Sequence, residues 1–109
     1  MKIITLQAAT SAAVDITTEA VDLGDSLGYS VQVLITGSNI AGTLTLEGSN
    51  DKTTFLTVPS SSVSITSSAD KLYNEVSHYR YVRLVFAASS GTGNLSAVMA
   101  VKENVVRNA

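Results

Sequence analysis

The chain contains no cysteine. Disulfides and thiolate metal sites are therefore excluded, while the compartment stays open, because many stable domains manage without the residue. Histidine occurs once, as His78. A lone histidine builds no zinc site without cysteines or clustered carboxylates, and one histidine among many serines defines no Ser/His/Asp spacing. No apolar run approaches the ~18 residues of a membrane helix. Lysine and arginine total 7, the net charge is −2, and the two signs are sparse. A nucleic-acid surface needs clustered basic residues and is not expected. Repeats at a fixed period are absent, as is the strand–helix alternation of a parallel α/β sheet. The opening MKIITLQAAT is too short and too polar for a signal-peptide core and reads as a first strand with Ile4 and Leu6 inward.

What remains is a chain of 109 residues, long enough for one domain with a real core. Serine and threonine number 27, while charged residues are 15% and proline occurs once. Threonine suits the pleat of a strand, and a surface with few charges costs little to desolvate against another protein. The simpler account of the same composition is that hydroxyls fill the solvent faces of strands.

Period-2 alternation is the strongest pattern. In YRYVRLVFA, Tyr79–Ala87, the residues Val82, Leu84 and Phe86 point one way, and Tyr79, Tyr81, Arg83 and Val85 the other. The turn signal Ser89–Asn94 follows, then Leu95, Ala97, Met99 and Val101 alternate again. Tyr79–Lys102 is thus expected to be a central hairpin. Tyr29–Thr36 and Thr43–Ser49 are strands, joined through the loop Gly37–Gly42. Gly48 marks a bulge or the close approach of another segment, and Ser49–Lys52 is a turn. Short strands are expected at Val14–Ile16, Glu19–Leu23, Phe55–Val58, Val63–Thr66 and Lys71–Val76, with a turn at Ser67–Asp70. Thr17-Thr18 is a bend or bulge. Eight or nine strands at this spacing indicate an all-β, antiparallel sandwich or barrel, and a β-sandwich of about eight strands, such as a jelly roll, is the expectation. The domain spans 1–109, with 103–109 as an arm. The predicted core is Ile4, Leu6, Val14, Ile16, Val21, Leu23, Val31, Val33, Ile35, Leu44, Leu46, Phe55, Val63, Ile65, Leu72, Val82, Leu84, Phe86, Leu95, Ala97 and Met99.

No catalytic, cofactor or metal site is predicted. Asn50-Asp51 with Glu47 supplies oxygen ligands of the type calcium takes, but a turn cap needs the same residues; Asp22 and Asp25 around Gly24 are weighed alike. Ser89–Asn94 lacks the lysine and following helix of a phosphate cradle. Tyr29, Tyr73, Tyr79 and Tyr81, with Arg80 and Arg83, are of the types enriched at binding hot spots. Tyr79, Tyr81 and Arg83 share one strand face and are the predicted protein-interaction residues. They would stack a sugar or meet a protein; the alternative is that Tyr81 packs at the core edge with its hydroxyl wet.

Two resemblances follow from these segments. Ser49-Asn50-Asp51, then Phe55, then Arg80-Tyr81-Val82-Arg83-Leu84 is similar to the discoidin pattern, which implies a β-sandwich that binds glycans or lipids. More of the chain, from YSVQVLITGS through GTLTLEGSND, VPSSSVSIT and YRYVRLVF to SSGTGNLSAVMAVKE, resembles small β-sandwich virion proteins of tailed phages, of the head-decoration or accessory kind. That resemblance implies a capsid or tail accessory role, and the leading expectation is a non-enzymatic capsid decoration protein made in the host cytoplasm and carried on the capsid surface. Its partners would be the major capsid protein or other virion proteins and further copies of itself, a trimer being one option, without nucleic acid or membrane. The alternative is a carbohydrate-binding or receptor-binding module of a tail or head fibre, with a glycan as partner.

Overall fold

The computed structural model describes residues 2–24, 26–66, 69–76 and 79–102. Among these described residues all regular structure is antiparallel β, in eight strands. They are β1 (Lys2–Ser11), β2 (Ile16–Thr17), β3 (Val21–Asp22), β4 (Gly28–Ser49), β5 (Leu56–Thr57), β6 (Val63–Ile65), β7 (Ala69–Val76) and β8 (Tyr81–Lys102). The body is organised around β4 and β8, each 22 residues long and paired from end to end.

This pairing corrects the expected hairpins. Tyr29–Thr36 and Thr43–Ser49 are not joined by a loop, and Tyr79–Lys102 does not turn back at Ser89–Asn94. The two turn-like stretches pair with each other, Gly37 opposite Gly93, Ser38 opposite Thr92 and Ala41 opposite Ser90. Residues 39 and 40 of β4 face only Gly91, and Ser89 is then the extra residue on β8. One bulge on each strand restores the register, so Gly42 again pairs with Ala88. A bulge also shifts the side-chain alternation of its own strand. In β4 the buried positions change from Tyr29, Val31, Val33 and Ile35 to Ile40, Leu44 and Leu46. In β8 they change from Val82, Leu84 and Phe86 to Leu95, Ala97, Met99 and Val101. The apolar side of both strands therefore stays on the inside of the bend.

Glycine makes the corner possible. Gly37 has φ 143°, and a Cβ there would lie 2.3 Å from the Thr92 carbonyl oxygen; one on Gly93 would lie 2.1 Å from that of Thr36. The fully buried Ile40 fills the space beside them.

The corner divides the sheet into two layers. In the first, β1 flanks β8 and β7 flanks β4. In the second, β2 and β3 flank β8, and β5 and β6 flank β4. A straight strand of this length would reach roughly 70 Å at about 3.3 Å per residue, yet the longest dimension of the molecule is 54 Å. The layers meet at their far ends, where the hydroxyls of Tyr29 and Tyr79 are hydrogen-bonded and the rings stand edge to face at 6.3 Å. Tyr73 of β7 also crosses between layers, donating its hydroxyl to the Ser61 carbonyl at 2.8 Å. One continuous apolar cluster lies between them, which is the sandwich expected.

Among the predicted core residues, Ile4, Leu6, Val21, Val63 and Phe55 are half-buried. Val14 is the exception at 60% exposure. It lies in a turn, and Ala12, held by its amide on the Gly93 carbonyl at 2.9 Å, takes the buried place. The side chain of Leu72 falls outside the description, as do His78, Asp25 and the expected arm 103–109. Ala69 and Asp70, expected in a turn, begin β7. Tyr29, Tyr73, Ile40, Val58 and Val101 are core residues beyond the predicted set.

Candidate functional site

The polar side chains converge where the second layer ends, around the Ser49–Thr54 turn. Asp51 shapes that turn. Its Oδ1 accepts from Ser49 Oγ and from the amides of Thr53 and Thr54, each at 2.9 Å. Those two amides, Thr54 first, and the Ser49 hydroxyl hold its carboxyl below the usual carboxylate range. Ser49 Oγ in turn accepts from the Lys52 amide at 3.0 Å, and Lys52 adopts φ 63°. Asn50 Oδ1 accepts from the Arg80 amide at 3.1 Å, which ties the turn to the start of β8.

Arg80 and Arg83 are engaged within the fold. Arg80 grips Asp22 with two hydrogen bonds, 3.2 and 3.1 Å, and this contact is the main reason the Asp22 carboxyl titrates below its usual range. Arg83 holds Glu47 at 2.8 Å and lies 3.9 Å above the Phe55 ring. Tyr81 is half-buried, with Lys52 and Arg80 each within 6 Å of its ring, at 5.8 and 5.4 Å.

The structure thus brings Tyr81, Arg83, Glu47, Asn50 and Asp51 into one corner. Tyr79 arrives there differently from the expectation. β8 begins at Tyr81, so Tyr79 does not continue the strand face of Tyr81 and Arg83. Its ring instead lies against the Gly48 backbone, where a Cβ would come within 2.8 Å. This is the close approach that Gly48 signals in the sequence. The alternative calcium ligands are spread over different contacts: Glu47 pairs with Arg83, and Asp51 closes its own turn. Among the described residues no three His, Cys, Asp or Glu side chains are grouped to hold a metal. Ser89–Asn94 lies inside β8, at the corner.

Beside this cluster is a cleft of about 410 Å³, lined by Gly48–Asp51, Thr54, Leu56–Pro59 and Tyr79. Leu56 is 70% exposed on its wall. Phe55–Val58 reads from the sequence as a strand ended by Pro59, which gave no sign of a concavity. The wall arises because β5 is only two residues long and the chain leaves the sheet at the turn after Val58. Of the residues that carry the discoidin likeness, Asn50 bonds the Arg80 amide and Phe55 lies against Arg83 at this end, while Val82 and Leu84 face the core.

No protein-family model matches the chain, and no curated protein matches it. Solved structures do. The PBSX exported protein XepA superposes on 99% of this chain with a TM-score of 0.69 and 18% identity. The chain spans 39% of the length of XepA. The SPBc2 prophage-derived protein YomS matches over 90% of both chains, with a TM-score of 0.56 and 10% identity. The fold described here is therefore shared with two phage-derived proteins.

Proposed function

We propose that the chain is a non-enzymatic structural protein of a phage particle, and within that role a decoration protein bound to the outer capsid surface. The likeness of nearly the whole chain to a PBSX exported protein and a prophage-derived protein carries this reading. The surface agrees with it. Across the outside of the first layer, Ile3, Val98 and Leu34 lie on one diagonal over β1, β8 and β4, at 65%, 40% and 42% exposure. The side chains between them, Thr5, Ser30, Gln32, Ser96 and Ala100, carry no charge, and Lys102 stands at the margin of the same face. Such a face suits contact with the major capsid protein, and weak contacts repeated by the symmetry of a particle give firm retention. A homo-oligomer on the particle, a trimer for example, is part of the same reading.

XepA is an exported protein, which favours a second reading, a phage product released free of the particle. Density-gradient fractionation of a lysate carrying the tagged chain separates the two. Co-migration with intact particles is expected, with a fixed copy number per capsid. Recovery only in the particle-free fraction overturns the proposal and leaves the second reading. Light scattering on the isolated chain measures its oligomeric state, and a monomer at all concentrations removes the homo-oligomer.

A further inference from the structure

The particle reading makes no use of the cleft at the end of the second layer. We propose that this cleft is a binding site for one ring of a neutral carbohydrate. The proposal goes beyond capsid attachment and does not depend on it.

The volume of about 410 Å³ falls in the range of small-molecule sites, roughly 300–1,000 Å³. Its surfaces are of two kinds. The Tyr79 ring, Leu56 and Pro59 supply carbon surface. Tyr79 is fixed before any ligand arrives, by the Gly48 backbone beneath it and the Tyr29 hydroxyl at its tip. Binding against it therefore costs little side-chain freedom. Leu56 is the most exposed large apolar side chain among the described residues, so its surface is unspent.

Around this carbon surface stand an amide, a carboxylate and hydroxyls, from Asn50, Asp51, Thr54 and Thr57. Asn50 uses its oxygen on Arg80, and Asp51 uses Oδ1 in its turn. The Asn50 amide nitrogen and Asp51 Oδ2 are left as donor and acceptor. The turns on either side are held in shape by residues in the left-handed region, Lys52 and Ser60, both at φ 63°. Neither is glycine, and strained backbone of this kind persists only where its surroundings hold it.

A pyranose has the matching construction, an apolar C–H face bounded by hydroxyl groups. Other small ligands fit less well. The Asp51 carboxylate, kept ionised by the amides of Thr54 and Thr53, repels an anion. A wholly apolar ligand would strip water from Asn50 and Asp51 and return no hydrogen bond.

The test is a screen of the full chain against neutral oligosaccharides of hexoses, N-acetylhexosamines and deoxyhexoses, followed by an NMR titration with any binder. Amide shifts should concentrate at 48–51, 54–57 and Tyr79. Leu56→Asp and Thr57→Val, both at exposed positions, should weaken binding about tenfold each without lowering the melting temperature. Absence of these shifts for every sugar at millimolar concentration overturns the proposal. So do shifts confined to another surface, or unchanged binding by Leu56→Asp. A peptide that moves the same amides when no sugar does also overturns it. Co-sedimentation with particles is a separate readout, so either idea can fail while the other stands.

Discussion

The two layers share the same pair of long strands and differ at their edges. In the first, β1 and β7 run 10 and 8 residues. In the second, β2, β3, β5 and β6 run only two or three residues each. Short edges leave gaps in the ladder, and a buried backbone group without a partner is costly. Two hydroxyls fill those gaps symmetrically. Leu46 and Leu84 are paired across β4 and β8. On the β4 side, Ser61 Oγ accepts from the Leu46 amide at 3.1 Å and donates to the Val58 carbonyl at 2.7 Å. On the β8 side, Thr18 Oγ accepts from the Leu84 amide at 3.0 Å. Both residues are buried. Side chains thus replace rungs of a sheet, which frees the edge backbone to make the turns and the cleft. The regular layer supplies rigidity and the broken layer supplies shape.

The corner common to both layers gives the largest test of this comparison. Gly37→Ala forces a Cβ into the Thr92 carbonyl at a positive φ. A loss above about 4 kcal/mol is expected, with hydrogen-exchange protection falling in both layers together. Loss confined to one layer would show that the two are independent folding units. Next come core deletions on either side of the corner. Phe86→Ala in the second layer removes a fully buried ring and should cost roughly 3–5 kcal/mol by urea denaturation. Met99→Ala in the first should cost about 2–5 kcal/mol. Both should melt in one transition, since their side chains belong to one cluster.

Ser61→Ala and Thr18→Val act on the second layer alone. Each strands a buried amide and should cost about 1–3 kcal/mol, read as faster exchange at Leu46 and Leu84 respectively while the β1 and β7 ladders keep their protection. Equal losses in both layers would mean that the hydroxyls are not local patches.

Tyr73→Phe, which breaks a bond between layers, is the smallest at neutral pH, about 1 kcal/mol. Its effect depends on pH. Burial pushes the Tyr73 hydroxyl up to about 12 from an ordinary 10. A raised value favours the folded protein while the phenol is protonated. The contribution is therefore complete below pH 10 and is lost as pH rises through about 12. Alkaline denaturation of the wild type should lose this increment across that window, and Tyr73→Phe should not.

Much of this body is legible in the residues. The alternations at Tyr29–Ile35, Leu44–Leu46, Val82–Phe86 and Leu95–Val101 mark the buried side of each half-strand correctly, because burial on one face of a pleat repeats every second residue. Gly48 likewise announces a close approach. The cleft is not legible, since the Gly48–Asp51 stretch, Leu56–Pro59 and Tyr79 come from three separate segments and meet only after the layers close.

The sequence by itself determined an all-β class, the alternating apolar stripes, and most of the core. The tertiary structure decided that Gly37–Gly42 and Ser89–Asn94 oppose each other instead of reversing the chain. The physical reason is that small, flexible residues serve a tight turn and a bulged corner equally well. Which one forms depends on where the distant apolar faces can be buried together, and that is a property of the whole chain.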